Sequence, residues 1–366
     1  MTRKQWAILS MTLILLGLGS IVALVAIIDP FQIYHEATAF IPPIDNGHQI
    51  YANAGVAKSY DYDSVIIGSS MTENYVPSHL ESLWGGRFVK LCVNAGTPFN
   101  HRQMMEMAFD GRELKTVFYG IDIEMLTYFY TTPKCDMPDY LYDKNPFNDV
   151  YYWFNTSVLA RYIPKCLKTL GQSDPDQRDT MYSWGELYPY GADAVIGDLT
   201  FTGEEVAQES VQQDPALSQA YKLNVEHNLI PFIEAHPDTQ FIFFFSPYSG
   251  IRWYQFYENG LLQYYLNQKA AVVKALLPYD NVKIFDFQAQ TQWVTDLDLY
   301  IDTSHFSPRI NAEMAEMMHA DICRVTDVAQ IIQSSAVIRG VVNEIRAAAG
   351  WPAHFPLPAQ DPATPQ

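Results

Sequence analysis

The chain has 366 residues, 48% hydrophobic and 17% charged, enough apolar material for a sizeable core and too much for global disorder. Its formal net charge of −18 excludes nucleic acid as a partner, because gripping phosphates draws on an excess of Lys and Arg. The same acidity argues against the chain lying flat on anionic lipid.

The first element is Trp6 to Ile28, WAILSMTLILLGLGSIVALVAII, which contains no charged residue. At about 1.5 Å per residue it crosses a hydrocarbon core of about 30 Å. Arg3 and Lys4 precede it, Asp29-Pro30 ends it, and no Lys or Arg follows before Lys58. The positive-inside rule then places residues 1–5 in the cytoplasm and 6–28 as a single span of the cell membrane. Everything after Asp29 is placed outside. A cleaved signal peptide is the competing reading: the run is longer than the usual apolar stretch, but small residues near Ala23 and Ala26 admit cleavage.

Residues 29–61 read as a juxtamembrane connection, and an alternating pattern begins at 62. Short apolar runs at Ser64–Gly68, Phe88–Val93 and Thr116–Ile121 read as buried strands. Between them, Pro77–Trp84 and Phe99–Phe109 read as helices, the first with Pro in its opening turn. Residues from about 126 to 215 are rich in Tyr, Trp, Pro and Asp without a clear period. They read as an insertion that covers or shapes a site. The pattern then resumes with a helix over Ser218–Ala235 and a strand over Gln240–Phe245. A helix over Leu261–Leu277 and a strand over Val282–Phe287 follow. A helix over Pro308–Val325 and a further helical stretch bring the domain to 348; the Pro-rich residues 349–366 read as a disordered tail. Strands alternating with helices predict a flavodoxin-like three-layer α/β/α fold with about five parallel strands.

Four cysteines, Cys92, Cys135, Cys166 and Cys323, form no C-x-x-C pair, so zinc and thioredoxin-like chemistry lack a motif. Cys135 and Cys166 share the insertion, and both a disulfide between them and free buried thiols stand as readings. No phosphate-binding G-x-x-x-x-G-K-[ST] loop and no H-E-x-x-H pair is present, and no cofactor or metal is expected.

Two short motifs carry chemistry. Gly68-Ser69-Ser70 stands where the first strand ends, and in doubly wound sheets ligands bind at the carboxyl ends of strands. A Ser there presents its hydroxyl above the sheet; a tight turn or helix cap is the plainer reading. Asp302-Thr303-Ser304-His305 follows the last strand. An Asp three residues before a His can accept the Nδ1–H, fixing the tautomer and leaving Nε2 to take a proton. The Phe245-Ser246-Pro247-Tyr248 segment ends the fourth strand on the same edge, where Tyr248 and Ser249 either line a pocket or form a turn.

Together, the Ser at the first strand end and the Asp-x-x-His near the end of the domain resemble the SGNH (GDSL-like) hydrolase superfamily. The resemblance implies Ser70 as nucleophile, His305 as base and Asp302 as its orienting acid. Ser69 then stands where that family has Asp. With Ser in that place, an N-terminal span and an outside domain, the chain looks more like the membrane-anchored DltD-like branch. In the family's second block the oxyanion-hole glycine matches Gly96. The third block, Gly-x-Asn-Asp, is replaced by Gly120-Ile121-Asp122-Ile123. An ionised Asp cannot donate to an oxyanion. Either Asn94 supplies a side-chain donor, or the hole rests on the Ser70 and Gly96 backbone N–H groups. Asp122 is left as a structural or substrate-binding residue, and Ser69 and Tyr248 as further pocket candidates.

The resemblance implies a serine esterase or O-acyltransferase outside the cell. Its substrates would be acyl esters and a surface or exported polymer, polysaccharide or teichoic acid, with a membrane O-acyltransferase as a possible partner. A non-catalytic assembly or binding role in a complex for surface-polymer modification is the alternative that the missing Asn motivates. A membrane-tethered flavodoxin-like domain with an unrelated ligand is the third.

Overall fold

A computed structural model describes residues 1–44, 46–197, 199 and 215–347. The tail at 349–366 and part of the insertion lie outside the described residues. Helices of eight residues or more are labelled.

Helix α1 covers Arg3–Ile28. Thr2 and Gln5 form a reciprocal cap at its start, and Asp29, in the left-handed conformation, closes it. It is long and apolar enough to cross a membrane, and its side chains face outward almost all round. Only Val25 is buried.

Residues 29–61 are more than a connection. They contain helix α2, Gln49–Ser59, which buries the small residues Ala52, Ala54, Val56 and Ala57. No apolar stripe announces it; α2 hides by being small-sided and by packing closely, not by amphipathic contrast.

Among the described residues the sheet has six strands in the order β2-β1-β3-β4-β5-β6: Ser64–Ile67 (β1), Phe88–Lys90 (β2), Thr116–Gly120 (β3), Gln240–Phe245 (β4), Val282–Asp286 (β5) and Arg324–Val325 (β6). The first five are parallel, in the order of flavodoxin-like doubly wound sheets. Every residue of β1, β2 and β3 is buried, as is Phe241–Phe245 of β4. Burial on both faces explains why these strands read as unbroken apolar runs.

Right-handed crossovers set the layers. Helix α3 (Pro77–Trp84) links β1 to β2. The chain then steps back past β1, so α4 (Pro98–Phe109) lies on the other face. Helix α5 (Pro215–Asn224) follows the insertion and runs on through Val225–Leu229 and Ile230–Ala235 to β4. Two helices, α6 (Gly250–Glu258) and α7 (Leu262–Leu276), link β4 to β5. Helix α8 (Pro308–His319) packs on α3, and α9 (Val328–Ala347) on α6 and α7.

The expected helix over Pro308–Val325 is corrected: α8 stops at His319, and the chain turns back to pair β6 antiparallel to β5. Asp321 and Cys323, both at positive φ, make the reversal, and Asp321 is held by Lys283 at 3.0 Å. Neither is Gly, so the usual turn signal was missing. Cys92, Cys135, Cys166 and Cys323 are all free thiols.

Thr72, just beyond β1, closes the fold around the strand ends. A Cβ added at Gly120 would stand 2.5 Å from its methyl group. Gly120→Ala is therefore expected to destabilise the domain by about 1–3 kcal/mol through overpacking. Thermal unfolding should show a lowered Tm that Thr72→Ser, which removes that methyl, largely restores in the double variant. A Tm unchanged by Gly120→Ala would refute the contact.

Candidate active site

The strand order reverses between β1 and β3, and ligand crevices open beyond the strand ends at such a point. Gly68 leaves β1 at φ +152°, where an added Cβ would stand 2.5 Å from Thr72. Ser69 is buried and spent on the turn: its hydroxyl accepts from Met71 N, and its carbonyl accepts from Thr72 N at 2.9 Å. Ser70 is left half-buried and facing outward, its hydroxyl 2.7 Å from His305 Nε2.

His305 sits on a loop tied to itself. Ile301 N donates to the His305 carbonyl at 3.0 Å. Asp302 Oδ1 accepts from Ser304 N and His305 N at 2.7 and 2.8 Å. Asp302 Oδ2 lies 2.7 Å from His305 Nδ1. A carboxylate only accepts, so Nδ1 carries the proton and Nε2 offers its lone pair to the Ser70 hydroxyl. Ser249 anchors the loop, donating its hydroxyl to the Thr303 carbonyl at 2.7 Å.

The electrostatics favour a charged His305. Burial works against the charge, but the Asp302 hydrogen bond and charge, then Asp122 and Glu73, outweigh it and hold the imidazole above its ordinary 6.5. Burial likewise pushes Asp302 up, and the bonds from His305 and Ser304 bring it below its ordinary 3.8.

A cavity of about 380 Å³ opens over this trio, lined by Ser70, Asn94, Trp184, Tyr188, Asp302 and His305 among others. Of the further candidates, only Asn94 reaches it. Asn94 is exposed, and its backbone N–H donates to Gln49 Oε1 at 2.7 Å. The Gly96 N–H is spent on the Val93 carbonyl at 2.7 Å, so Gly96 is withdrawn as an oxyanion donor. The Ser70 N–H heads the short turn Ser70–Thr72, where the turn itself supplies no acceptor. Ser69, Asp122 and Tyr248 do not line the cavity. Tyr248 is buried and donates to Asp122 Oδ1 at 2.5 Å, and Glu124, beside them, pairs with Arg252. Asp122 thus acts on His305 through its charge, and the pocket role assigned to it and to Tyr248 is corrected.

Several residues escaped sequence reasoning. The insertion delivers Trp184, whose Nε1–H donates to the Ser70 carbonyl at 3.1 Å and whose ring meets His305 edge-on at 5.3 Å. Asn74 Oδ1 holds the Trp184 and Gly185 N–H groups at 3.0 and 3.1 Å. Lys90, the last residue of β2, is buried with its ammonium near four oxygens. These are the carbonyls of Glu73, Asp179 and Met181 and the Ser183 hydroxyl, at 2.7, 2.9, 2.8 and 3.1 Å. Burial brings Lys90 down to about 8, against the raising charges of Cys92, Asp179 and Glu73. A Lys inside FVKLCV was the available signal: a charge in a buried strand needs partners.

No family model matches the chain, and no curated protein matches it.

Glu73 is fully buried beside this network. Burial pushes its carboxyl up to about 7, while the Gln49 hydrogen bond at 2.6 Å and the charges of His305 and Lys90 pull it down. A raised acid gives stability that is complete below its ordinary 4.5 and is lost as pH rises through about 7. Glu73→Gln, which does not titrate, should therefore gain in Tm relative to the parent on going from pH 5 to pH 8. An equal Tm difference at both pH values would refute the burial effect.

Proposed function

We propose that the chain is a membrane-anchored serine esterase or O-acyltransferase of SGNH type, with Ser70 as nucleophile. The observation that carries this reading is the hydrogen-bonded relay Ser70–His305–Asp302, open to a cavity. Its distances match those of a nucleophile, a base and an orienting acid.

The chemistry follows from the geometry. Ser70 Oγ attacks an acyl carbonyl while its proton passes to His305 Nε2, and the C–O bond to the leaving alcohol breaks as His305 returns that proton. The acyl-serine is then attacked by water or by an acceptor hydroxyl whose proton passes to His305 Nε2, and the bond from the acyl carbon to Ser70 Oγ breaks as His305 returns that proton to Ser70. Asp302 stabilises the imidazolium formed in each step. The developing oxyanion is assigned to the Ser70 N–H and the Asn94 side-chain amide, both on residues that line the cavity. Trp184 and Tyr188 wall one side of the cavity, which opens to solvent and can admit either water or an acceptor hydroxyl.

The wider assignment rests on architecture. The apolar α1, with Arg3 and Lys4 before it, supports a single span with the domain outside the cell. A site held there suits hydroxyl-bearing surface or exported polymers, polysaccharide or teichoic acid, with a membrane O-acyltransferase as partner.

Full-length protein should release nitrophenol from p-nitrophenyl acetate, and Ser70→Ala and His305→Asn should each remove nearly all of that turnover; equal turnover by Ser70→Ala would sink the nucleophile. The base must be neutral, so turnover should rise with pH through a pKa above 6.5, the side to which His305 is shifted. Asp302→Asn removes the main raising influence. It should move that limb to lower pH and lower kcat by about 10⁴. A limb that stays in place would show that Asp302 does not act on His305.

A further inference from the structure

We propose that residues 147–170 of the insertion form a collar that docks on the anionic headgroups of the bilayer that α1 enters. This rests on reading α1 as a membrane span and is independent of the chemistry at Ser70.

The collar adjoins the end of the span. Val25, in the last turns of α1, is fully buried in a second apolar core with Phe31, Leu141, Tyr152, Tyr162 and Ile163. The short helices Val150–Trp153 and Ile163–Lys168 both pack against α1. Asp29, at the α1 C-terminus, is buried and accepts from the Tyr152 hydroxyl at 2.9 Å and from Tyr34 N at 2.6 Å. Trp153 Nε1 donates to the Tyr34 hydroxyl at 2.8 Å, and that hydroxyl donates to Asp149 at 2.9 Å. The join is therefore a fixed one.

From this join, large apolar side chains point outward. Phe147 is 88% exposed, Tyr151 66% and Leu170 60%, with Phe154 and Leu167 also exposed. Aromatic and aliphatic residues beside a span settle at the headgroup level, where the ring is half in hydrocarbon.

Charge selects the lipid. The chain as a whole carries −18, yet residues 147–170 hold three bases, Arg161, Lys165 and Lys168, against the single acid Asp149. Asp149 is buried under Tyr34, whereas Arg161 and Lys168 are exposed. Within residues 147–170 the overall acidity that opposes anionic surfaces is thus reversed, although Glu36, just after the span, is an exposed acid, and the basic residues of the collar favour acidic lipids.

The test uses the full chain in nanodiscs of phosphatidylcholine, with and without phosphatidylglycerol. A photo-crosslinking p-benzoylphenylalanine replaces Tyr151, or Phe147 in a second variant. It replaces Ile332, exposed on α9, which packs on α6 and α7, as control. Irradiation should give several-fold more phospholipid adduct at Tyr151 and Phe147 than at Ile332, rising further with phosphatidylglycerol. Arg161→Glu, Lys165→Glu and Lys168→Glu together should abolish that rise. Adducts no greater than at Ile332, or capture of a second copy of the chain, would overturn the collar. A rise that survives the triple substitution would overturn its preference for anionic lipid. Turnover at Ser70 plays no part in the readout, so the two proposals fail separately.

Discussion

The buried ammonium of Lys90 is the interaction on which the site depends. It sits at the end of a parallel strand, sealed from water, where an unpaired charge would cost several kcal/mol. Its oxygen partners belong to two separate stretches of chain: the turn that carries Ser70, and the insertion at 179–183. Solvating this one charge therefore forces the insertion onto the turn. Asn74 continues the clamp to Trp184, and Trp184 reaches back to the Ser70 carbonyl. The insertion is a wall of the site because the sheet needs its carbonyls.

A second constraint is electrostatic. His305 is surrounded by acids at graded distances: Asp302 in contact, with Asp122 and Glu73 felt through space. Each is restrained by a partner of its own, Tyr248 for Asp122 and Gln49 for Glu73. The arrangement favours an imidazolium, the species that the proposed attack by Ser70 would form. The acidity of the chain, which opposes polyanions and anionic lipid at large, also acts locally around this ring.

The strands and most helices were legible because both faces of the sheet are covered, so apolar runs mark strands and Gly and Pro mark their ends. Ser70, Asp302 and His305 were legible because the turn and the Asp-x-x-His loop are local in sequence, although 235 residues separate Ser70 from His305. What escaped notice has a common cause. Helix α2 is small-sided and β6 is two residues long, so neither has a period to read. Trp184, Asn74 and Lys90 meet only in three dimensions, and no spacing links them. Gly96 was misjudged because a glycine after a strand looks the same whether its N–H is free or spent.

The docked end of α1 bears on how the chain matures. A peptidase cutting near Ala23 or Ala26 would need those residues extended in its groove. Here Val25 is fully enclosed by the domain, and the Ala26 carbonyl lies 3.2 Å from His35 Nε2. Once the domain has folded, the chain at Val25 and Ala26 is shielded by the product that a cut there would release, while Ala23 stays exposed. A chain trimmed there would leave Phe31, Tyr162 and Ile163 around an empty socket. The hydrophobic helix is thus a keystone of the second core, and a version shortened there would begin life with a hole in it.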